Sequence, residues 1–173
     1  MALLGLTRVC GQNKGGVKNL YITEAANVTS MTKGSGVESY SAITMATGTV
    51  FKQYTFEEDT GAYKPVVEAN KGAFRVTTTI DADFGKMDLT ERNAVQDLLD
   101  NNNCGFVIIA ELNSGAKFVV GYNEVDVATR PARITAVNGD SKLEMMDPNA
   151  DVVTFTHMGG EMPRTYTGAV PTT

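Results

Sequence analysis

The residues of this chain that could do chemistry are few, and none completes a known catalytic pattern. His157 is the only histidine, so any mechanism that needs a histidine base depends on it. The Gly-x-Ser-x-Gly motif, which presents a serine nucleophile to such a base, does not occur. Gly139-Asp140-Ser141 matches only the start of that motif and lies in a predicted hairpin turn. We predict no catalytic residue and no enzyme activity, and expect His157 at a strand end on the surface or in an interface.

Two kinds of ligand site can be compared with the sequence, and neither pattern is complete. The glycine-rich stretch 11–16 precedes Lys18, but Val17 stands where a phosphate-binding loop requires lysine. The acidic stretches 81–85 and 147–151 begin like calcium loops, yet both lack the closing glutamate at the twelfth position. Cys10 and Cys104 form no paired metal-binding motif. We therefore predict no metal, no cofactor and no cofactor-binding residue, and a glycine-rich turn ahead of a strand at 11–16.

The net charge of the chain limits the classes of partner that can be expected. A formal net charge of −5 argues against a surface that grips nucleic-acid phosphates, because such surfaces concentrate Lys and Arg. A mildly acidic surface is compatible with nucleic acid that slides past without sticking. The acidic run 57–59 is predicted to be a solvated loop, or alternatively a patch that faces a lumen or a partner. No segment approaches the roughly 20 apolar residues that span a bilayer, so we predict no membrane partner. Two cysteines are too few for a disulfide scaffold, which favours reduced thiols and synthesis in the cytoplasm.

Residue patterning predicts a mainly β protein with one helix. Asp88 and Glu91 have the spacing of a capping box, and an apolar stripe follows at helical spacing, which predicts a helix at about 89–101. Pro65 marks its strand as an edge or bent strand. Alternation and turn residues predict strands at 17–23, 39–45, 49–57, 62–68, 74–80, 106–112, 116–122, 125–129, 132–137, 142–146 and 151–157.

The connections between these strands are predicted from turn residues. Hairpin turns are expected at 46–48, 113–115 and 138–139, and Asn138-Gly139 is the strongest of these signals. The segments 21–41 and 158–173 are predicted to be arms that order on a neighbour, and the segment 1–16 is predicted to be extended. The length of 173 residues suits one domain spanning 1–173.

Several short motifs follow one another in a recognisable order. They are 10–18 (CGQNKGGVK), 20–22 (LYI), 42–45 (AITM) leading to 51–56 (FKQYTF), 58–61 (EDTG), the capped helix, and 115–122 (GAKFVVGY). In this order they resemble structural proteins of tailed bacteriophages, and most closely the tail tube (major tail) proteins of phages of gut bacteria, including crAss-like relatives. The resemblance covers most of residues 10–157.

The resemblance implies a β-sandwich or partly closed barrel flanked by one helix, with extended loops or arms. It implies a virion protein of the tail that assembles into stacked, hexameric rings, whose inner strands join those of neighbours in a lumenal barrel. The implied partners are further copies, other tail or neck proteins, and genomic DNA that passes the lumen without specific binding. The family pattern supplies no role for residues 130–133. We hypothesise that Arg130 and Arg133 pair with acidic residues of an adjacent subunit.

The function predicted from the sequence is thus a non-catalytic tail tube subunit that conducts DNA during ejection. Within the structural class, a neck, connector or tail-terminator ring protein and a capsid decoration protein are alternatives. From other classes, a small hydrolase, a ligand-binding β-barrel and a nucleic-acid-binding module are weaker alternatives, because the sequence contains no assembled triad, metal set or basic aromatic strand.

Overall fold

The structure is a computed structural model that describes residues 15–35, 38–55, 60–84, 88–123, 130–140 and 150–172. Cys10, the acidic run 57–59 and the predicted strands 125–129 and 142–146 lie outside these residues. The described elements are β1 (Val17–Glu24), a short 3-10 turn (Ala25–Asn27), β2 (Val28–Lys33), β3 (Ser39–Met45), β4 (Lys52–Thr55), β5 (Gly61–Asn70), β6 (Ala73–Phe84), α1 (Leu89–Asp100), β7 (Phe106–Leu112), β8 (Lys117–Val120), β9 (Arg133–Asp140), β10 (Ala150–Gly159) and β11 (Thr165–Tyr166).

The strands form two sheets, which confirms the predicted β-sandwich with one helix. Sheet A has the order β2-β3-β11-β8-β7-β1-β4, and sheet B has the order β5-β6-β10-β9. Among the described residues the two sheets do not close into a barrel. Neighbouring strands are antiparallel, except that β11 runs parallel to β3.

The central strands of sheet A are buried on both faces, whereas β2 and β4 at its ends are largely exposed. Five consecutive residues of β7, from Phe106 to Ala110, are buried, which is the pattern of a strand covered on both sides. One face packs against sheet B and α1 and forms the core between the sheets, which includes Leu20, Ile108 and Phe155. The other face forms a second core, which contains Ala25, Val28, Tyr40, Phe51, Val107, Ile109, Val119 and Tyr166.

The helix forms where it is predicted. The side chain of Asp88 accepts a hydrogen bond of 2.9 Å from the Glu91 backbone N–H, which satisfies one of the unpaired donors of the first turn. Val95 and Leu98 are the buried residues of α1, and they pack into the core between the sheets. The helix therefore covers one end of the sandwich.

Two predicted hairpin turns are wrong. Asn138 and Gly139 lie inside β9, paired with Val152 and Asp151, so the extended ladder between β9 and β10 overrides the local Asn-Gly preference. A turn is present at 46–48, where the Thr49 N–H donates to the Ala46 carbonyl. It does not join paired strands, however, because β3 pairs with β2 and β11 while β4 pairs with β1 on the opposite edge.

The segments predicted as arms lie on their own chain where they are described. Residues 21–33 and 39–41 belong to β1, the 3-10 turn, β2 and β3. In the C-terminal segment, the Thr167 N–H donates to the Tyr40 carbonyl, and the Pro171 carbonyl accepts from the Phe51 N–H, both at 2.9 Å. Arg164 lies 5.6 Å from the Tyr40 ring centroid and bonds the Glu161 carboxylate at 3.0 Å. These contacts hold the extended C-terminal segment against the second core.

One buried hydroxyl offers a stability test. Thr78 is fully buried on the inner face of sheet B, and its Oγ1 has no hydrogen-bond partner among the described residues. Valine has nearly the same shape without the polar atom, so we expect Thr78→Val to raise the free energy of unfolding by about 1 kcal/mol. Urea denaturation followed by circular dichroism measures this, and a loss of stability would show that the hydroxyl is satisfied.

Candidate self-assembly surface

The residues singled out as possible chemical groups are separated in the fold. His157 is buried on the inner face of β10, so the expected surface position is wrong. Its ring lies beside Gly159, where an added Cβ would lie 2.9 Å from its Cε1 atom and 3.4 Å from Asn123 Nδ2. Alternation along β10 turns every second residue inward, and His157 follows Phe155 on that face. Among the described residues no group of three His, Cys, Asp or Glu side chains could hold a metal ion.

The acidic stretch that begins at Asp81 lies on a strand rather than in a loop. Asp81 and Asp83 occupy the outer face of β6. The Asp81 carboxylate bonds Lys64 Nζ and Thr154 Oγ1, each at 3.0 Å. Gly15 and Gly16 end the glycine-rich stretch, and Asn113 bonds the carbonyls of both. These groups are therefore used in cross-strand contacts.

A small cavity of 160 Å³ lies between α1 and the strands β1 and β4. Its apolar wall includes Ile22, Leu98 and Phe106, and its polar wall includes Tyr54 and Asp97. Burial, with Asp97 nearby, raises the pKa of Tyr54 above its ordinary value. Glu24 and Lys52 also line the cavity.

The outer face of sheet B is mainly polar, with half-buried or exposed side chains. It is rich in threonine, with Thr77, Thr79, Thr135, Thr154 and Thr156, and the hydroxyls of Thr135 and Thr156 lie 3.0 Å apart. Its described charges are balanced: Lys64, Arg75 and Arg133 share the face with Glu68, Asp81 and Asp83. Lys64 pairs with Asp81, and Arg75 pairs with Glu68. A polyanion would therefore meet little net positive charge on this face.

The edges of sheet B are formed by β5 and β9. Pro65 lies on β5, so the predicted edge position of this strand is confirmed. Because each of the three pairings in this four-stranded sheet is antiparallel, β5 and β9 run in opposite directions. A second copy in the same orientation could thus place its β9 antiparallel to β5 of the first.

The half of the β5–β6 hairpin next to its turn exposes large apolar residues. Val67 is 49% exposed and Phe74 is 56% exposed, although both lie on the face that turns toward the core elsewhere in the sheet. Val66 and Met158 are exposed on the opposite face, at the same level of the sheet. A strand end that exposes apolar groups on both faces is typical of a surface covered by a partner.

A groove of 400 Å³ lies at the other side of sheet B, lined by Arg130, Pro131, Arg133, Thr135, Thr156 and Met158. Both arginines for which the sequence offered no family role line this groove. Arg133 forms no ion pair with another described residue, so it is the residue of this groove best placed to meet an acidic group of another chain.

On sheet A, hydrogen bonds to a single carboxylate, Glu111, join β1 and β7. Asn19 Nδ2 and the Tyr21 hydroxyl donate to Glu111 Oε2 at 2.8 and 3.0 Å. Burial alone would raise the pKa of Glu111, but these hydrogen bonds, with Lys117 and Lys18 nearby, hold it below its ordinary value. The stabilisation by this carboxylate is therefore present above the ordinary glutamate pKa and is lost as the pH falls through the lowered one.

We expect Glu111→Gln to unfold at lower urea concentration than the wild type at pH 7, because the amide accepts these hydrogen bonds less strongly than the carboxylate. The difference should be complete above the ordinary glutamate pKa of about 4.3 and should shrink as the pH falls from there through the lowered pKa of the folded carboxylate. Urea titrations of dilute protein at pH 7 and pH 3 measure it. A difference that stays constant with pH would contradict the assignment.

The comparisons with known proteins return no relative. No protein-family model matches the chain, and no curated protein or solved structure matches it either. No described helix has both the length and the apolar character that crossing a membrane requires.

Proposed function

We propose that this chain is a structural subunit that assembles with copies of itself into rings and forms the tail tube of a bacteriophage. The observation that carries the proposal is sheet B: it has an even number of antiparallel strands, two edges of opposite direction and a polar outer face. The resemblance of the sequence to tail tube proteins supports the same function.

Ring closure follows from the direction of the edges. When copies are related by rotation about one axis, their strands keep one orientation relative to that axis. The β9 edge of each copy then meets the β5 edge of the next in the antiparallel sense, and a closed ring leaves no unpaired sheet edge. Sheet B of each copy would contribute four strands to one continuous barrel.

In such a barrel the outer face of sheet B would line the lumen, because α1 and sheet A cover its other face. Threonine hydroxyls and paired charges would then face the passing DNA. Lys64 and Arg75 are each neutralised by a carboxylate, which leaves Arg133 as the described cation of this face that could contact a phosphate, so DNA could move with little retention. The exposed hairpin end and the Arg133 groove would contact further copies, in the same ring or in the next one.

Negative-stain electron microscopy of the purified protein at low and high concentration, with its mass in solution, tests the proposal. We expect open-centred tubes or stacked rings. Single closed rings would instead indicate a connector or terminator, and a compact monomer at all concentrations would overturn the proposal. Arg133→Glu tests the groove: assembly should weaken, and unchanged assembly would remove the groove from the interface.

A further inference from the structure

We propose that only one half of each sheet B edge binds the next copy, so that residues 66–70 of β5 pair with residues 136–140 of β9 in the neighbour and Glu68 lies opposite Asn138. This inference rests on the proposed function, and it specifies the strand pairing that ring closure would use. It is carried by the backbone groups that each edge leaves unpaired.

The direction of the backbone groups on β5 follows from its turn. Lys71 and Gly72 both have positive φ, of 48° and 88°, which is the type I′ turn of a two-residue hairpin. Asn70 and Ala73 are then a hydrogen-bonded pair, and alternation along the strand makes the even-numbered residues bond β6. The odd-numbered residues direct their backbone groups to the free edge. Pro65 is one of them, so its missing N–H costs β6 no bond.

Only the half of the β5 edge next to the turn, residues 66–70, is open to another strand. Gly61 is buried, and its carbonyl lies beside Gly16, where β1 begins. Pro65 offers a carbonyl but no donor. Val67 and Ala69 are exposed, and their N–H and C=O groups have no partner among the described residues. Tyr63 lies between buried Gly61 and Pro65, so Val67 and Ala69 are the successive free-edge residues of β5 that each offer both a donor and an acceptor.

The first half of the β9 edge is already occupied within the chain. Ala132 and Phe106 exchange two backbone hydrogen bonds of 2.8 and 2.9 Å. Two residues further on, the Asn102 carboxamide accepts from the Ile134 N–H at 2.7 Å and donates to its carbonyl at 3.1 Å. Asn102 thus takes the place of a neighbouring strand. The β5 strand of a second copy must therefore end before it reaches Ile134.

No described residue bonds the free edge of the second half of β9. Because the odd-numbered residues of β6 bond β5, its even-numbered residues bond the odd-numbered residues of β10. The even-numbered residues of β10 therefore bond β9, where their partners beyond the bulge are Ala136, Asn138 and Asp140. The backbone N–H and C=O groups of Val137 and Gly139 therefore point to the free edge. Each edge thus offers two residues with open backbone groups, Val67 and Ala69 on β5 and Val137 and Gly139 on β9, and the two are separated by one residue.

One register matches the two open pairs completely. Val67 then exchanges hydrogen bonds with Gly139 and Ala69 with Val137, so Val67 and Val137 become diagonal neighbours on the core side of the barrel. A shift of four residues, with Lys64 opposite Asn138, places Pro65 opposite Val137, where an N–H is required. The matched register also covers Val67 without displacing Asn102.

Paired cysteines test this register. In a Cys10→Ser, Cys104→Ser background, Glu68→Cys with Asn138→Cys places two exposed residues in a pair that is not hydrogen-bonded, where the Cα atoms lie about 4.5 Å apart and a disulfide can form. The matched control is Lys64→Cys with Asn138→Cys, which crosslinks only in the shifted register. Both double variants are oxidised after assembly and separated on a non-reducing denaturing gel.

A ladder of crosslinked oligomers from the Glu68–Asn138 pair, with none from the Lys64–Asn138 pair, is the expected result. A ladder from the control pair alone would overturn the register. Assembled rings that crosslink with neither pair would overturn the inference while the proposed function stands. A wild-type protein that stays monomeric would overturn both.

Discussion

Gly121→Ala is expected to destabilise the fold by roughly 2 to 5 kcal/mol, a large part of the stability of a domain of this size. Gly121 has φ of +88°, and a Cβ built there lies 2.3 Å from the Phe106 carbonyl oxygen and 2.8 Å from the Ala132 nitrogen. These two atoms belong to the backbone bridge that ties β7 to the start of β9. The added methyl group must break that bridge or move Gly121.

Gly48→Ala is the matched control, because Gly48 has φ of +79° but no atom lies within 4 Å of the position that the added methyl group would take. Its cost should be limited to backbone strain of about 1 to 2 kcal/mol. Urea denaturation followed by far-ultraviolet circular dichroism, or by tyrosine fluorescence because the chain has no Trp, measures both variants. Equal destabilisation of the two would mean that the bridge between the sheets contributes little.

Val67→Asp is expected to abolish assembly while the subunit stays folded. Val67 is 49% exposed in the single chain, so the carboxylate remains hydrated there and the fold tolerates it. In the paired edge the same carboxylate would be buried against Val137 without a cation, and burial of an unpaired charge is strongly unfavourable. We expect the protein concentration at half-assembly to rise at least about tenfold, which corresponds to about 1.4 kcal/mol. Sedimentation over a concentration series measures it.

Leu89→Asp controls for the loss of an exposed apolar residue. Leu89 is 78% exposed at the first turn of α1, far along the chain from the sheet B edge, and an acidic residue suits a helix N-terminus. This variant should assemble like the wild type. If Val67→Asp and Leu89→Asp weaken assembly equally, the effect is one of general surface charge rather than of the β5 edge.

Elements defined by nearby residues could be predicted from the sequence. The strand at 39–45 and the β7–β8 hairpin follow from alternation and turn residues, and α1 follows from its capping box. Pro65 identified an edge strand correctly because a missing N–H is tolerated only where no ladder bond is needed. In each case the energy that decides the structure comes from contacts within a few residues.

The parts of the candidate surface that depend on distant contacts could not be predicted. Asn102 follows the helix in a run of asparagines that predicts only a helix end, yet its carboxamide occupies the β9 edge 32 residues away in the chain. Asn138-Gly139 is a strong turn signal, but the ladder with β10 holds both residues extended. The burial of His157 likewise depends on which face of β10 meets sheet A.

Composition and short-range spacing are enough to establish that this chain is rich in β-strands, carries one capped helix and has an acidic charge balance. Only the folded chain shows that β3 and β4 lie toward opposite ends of sheet A, that the C-terminal segment packs on the second core, and that β9 is the other edge of sheet B. Strand pairing joins residues far apart in the chain, and its energy comes from matched hydrogen-bond rows and shared burial. No local pattern of residues encodes these contacts.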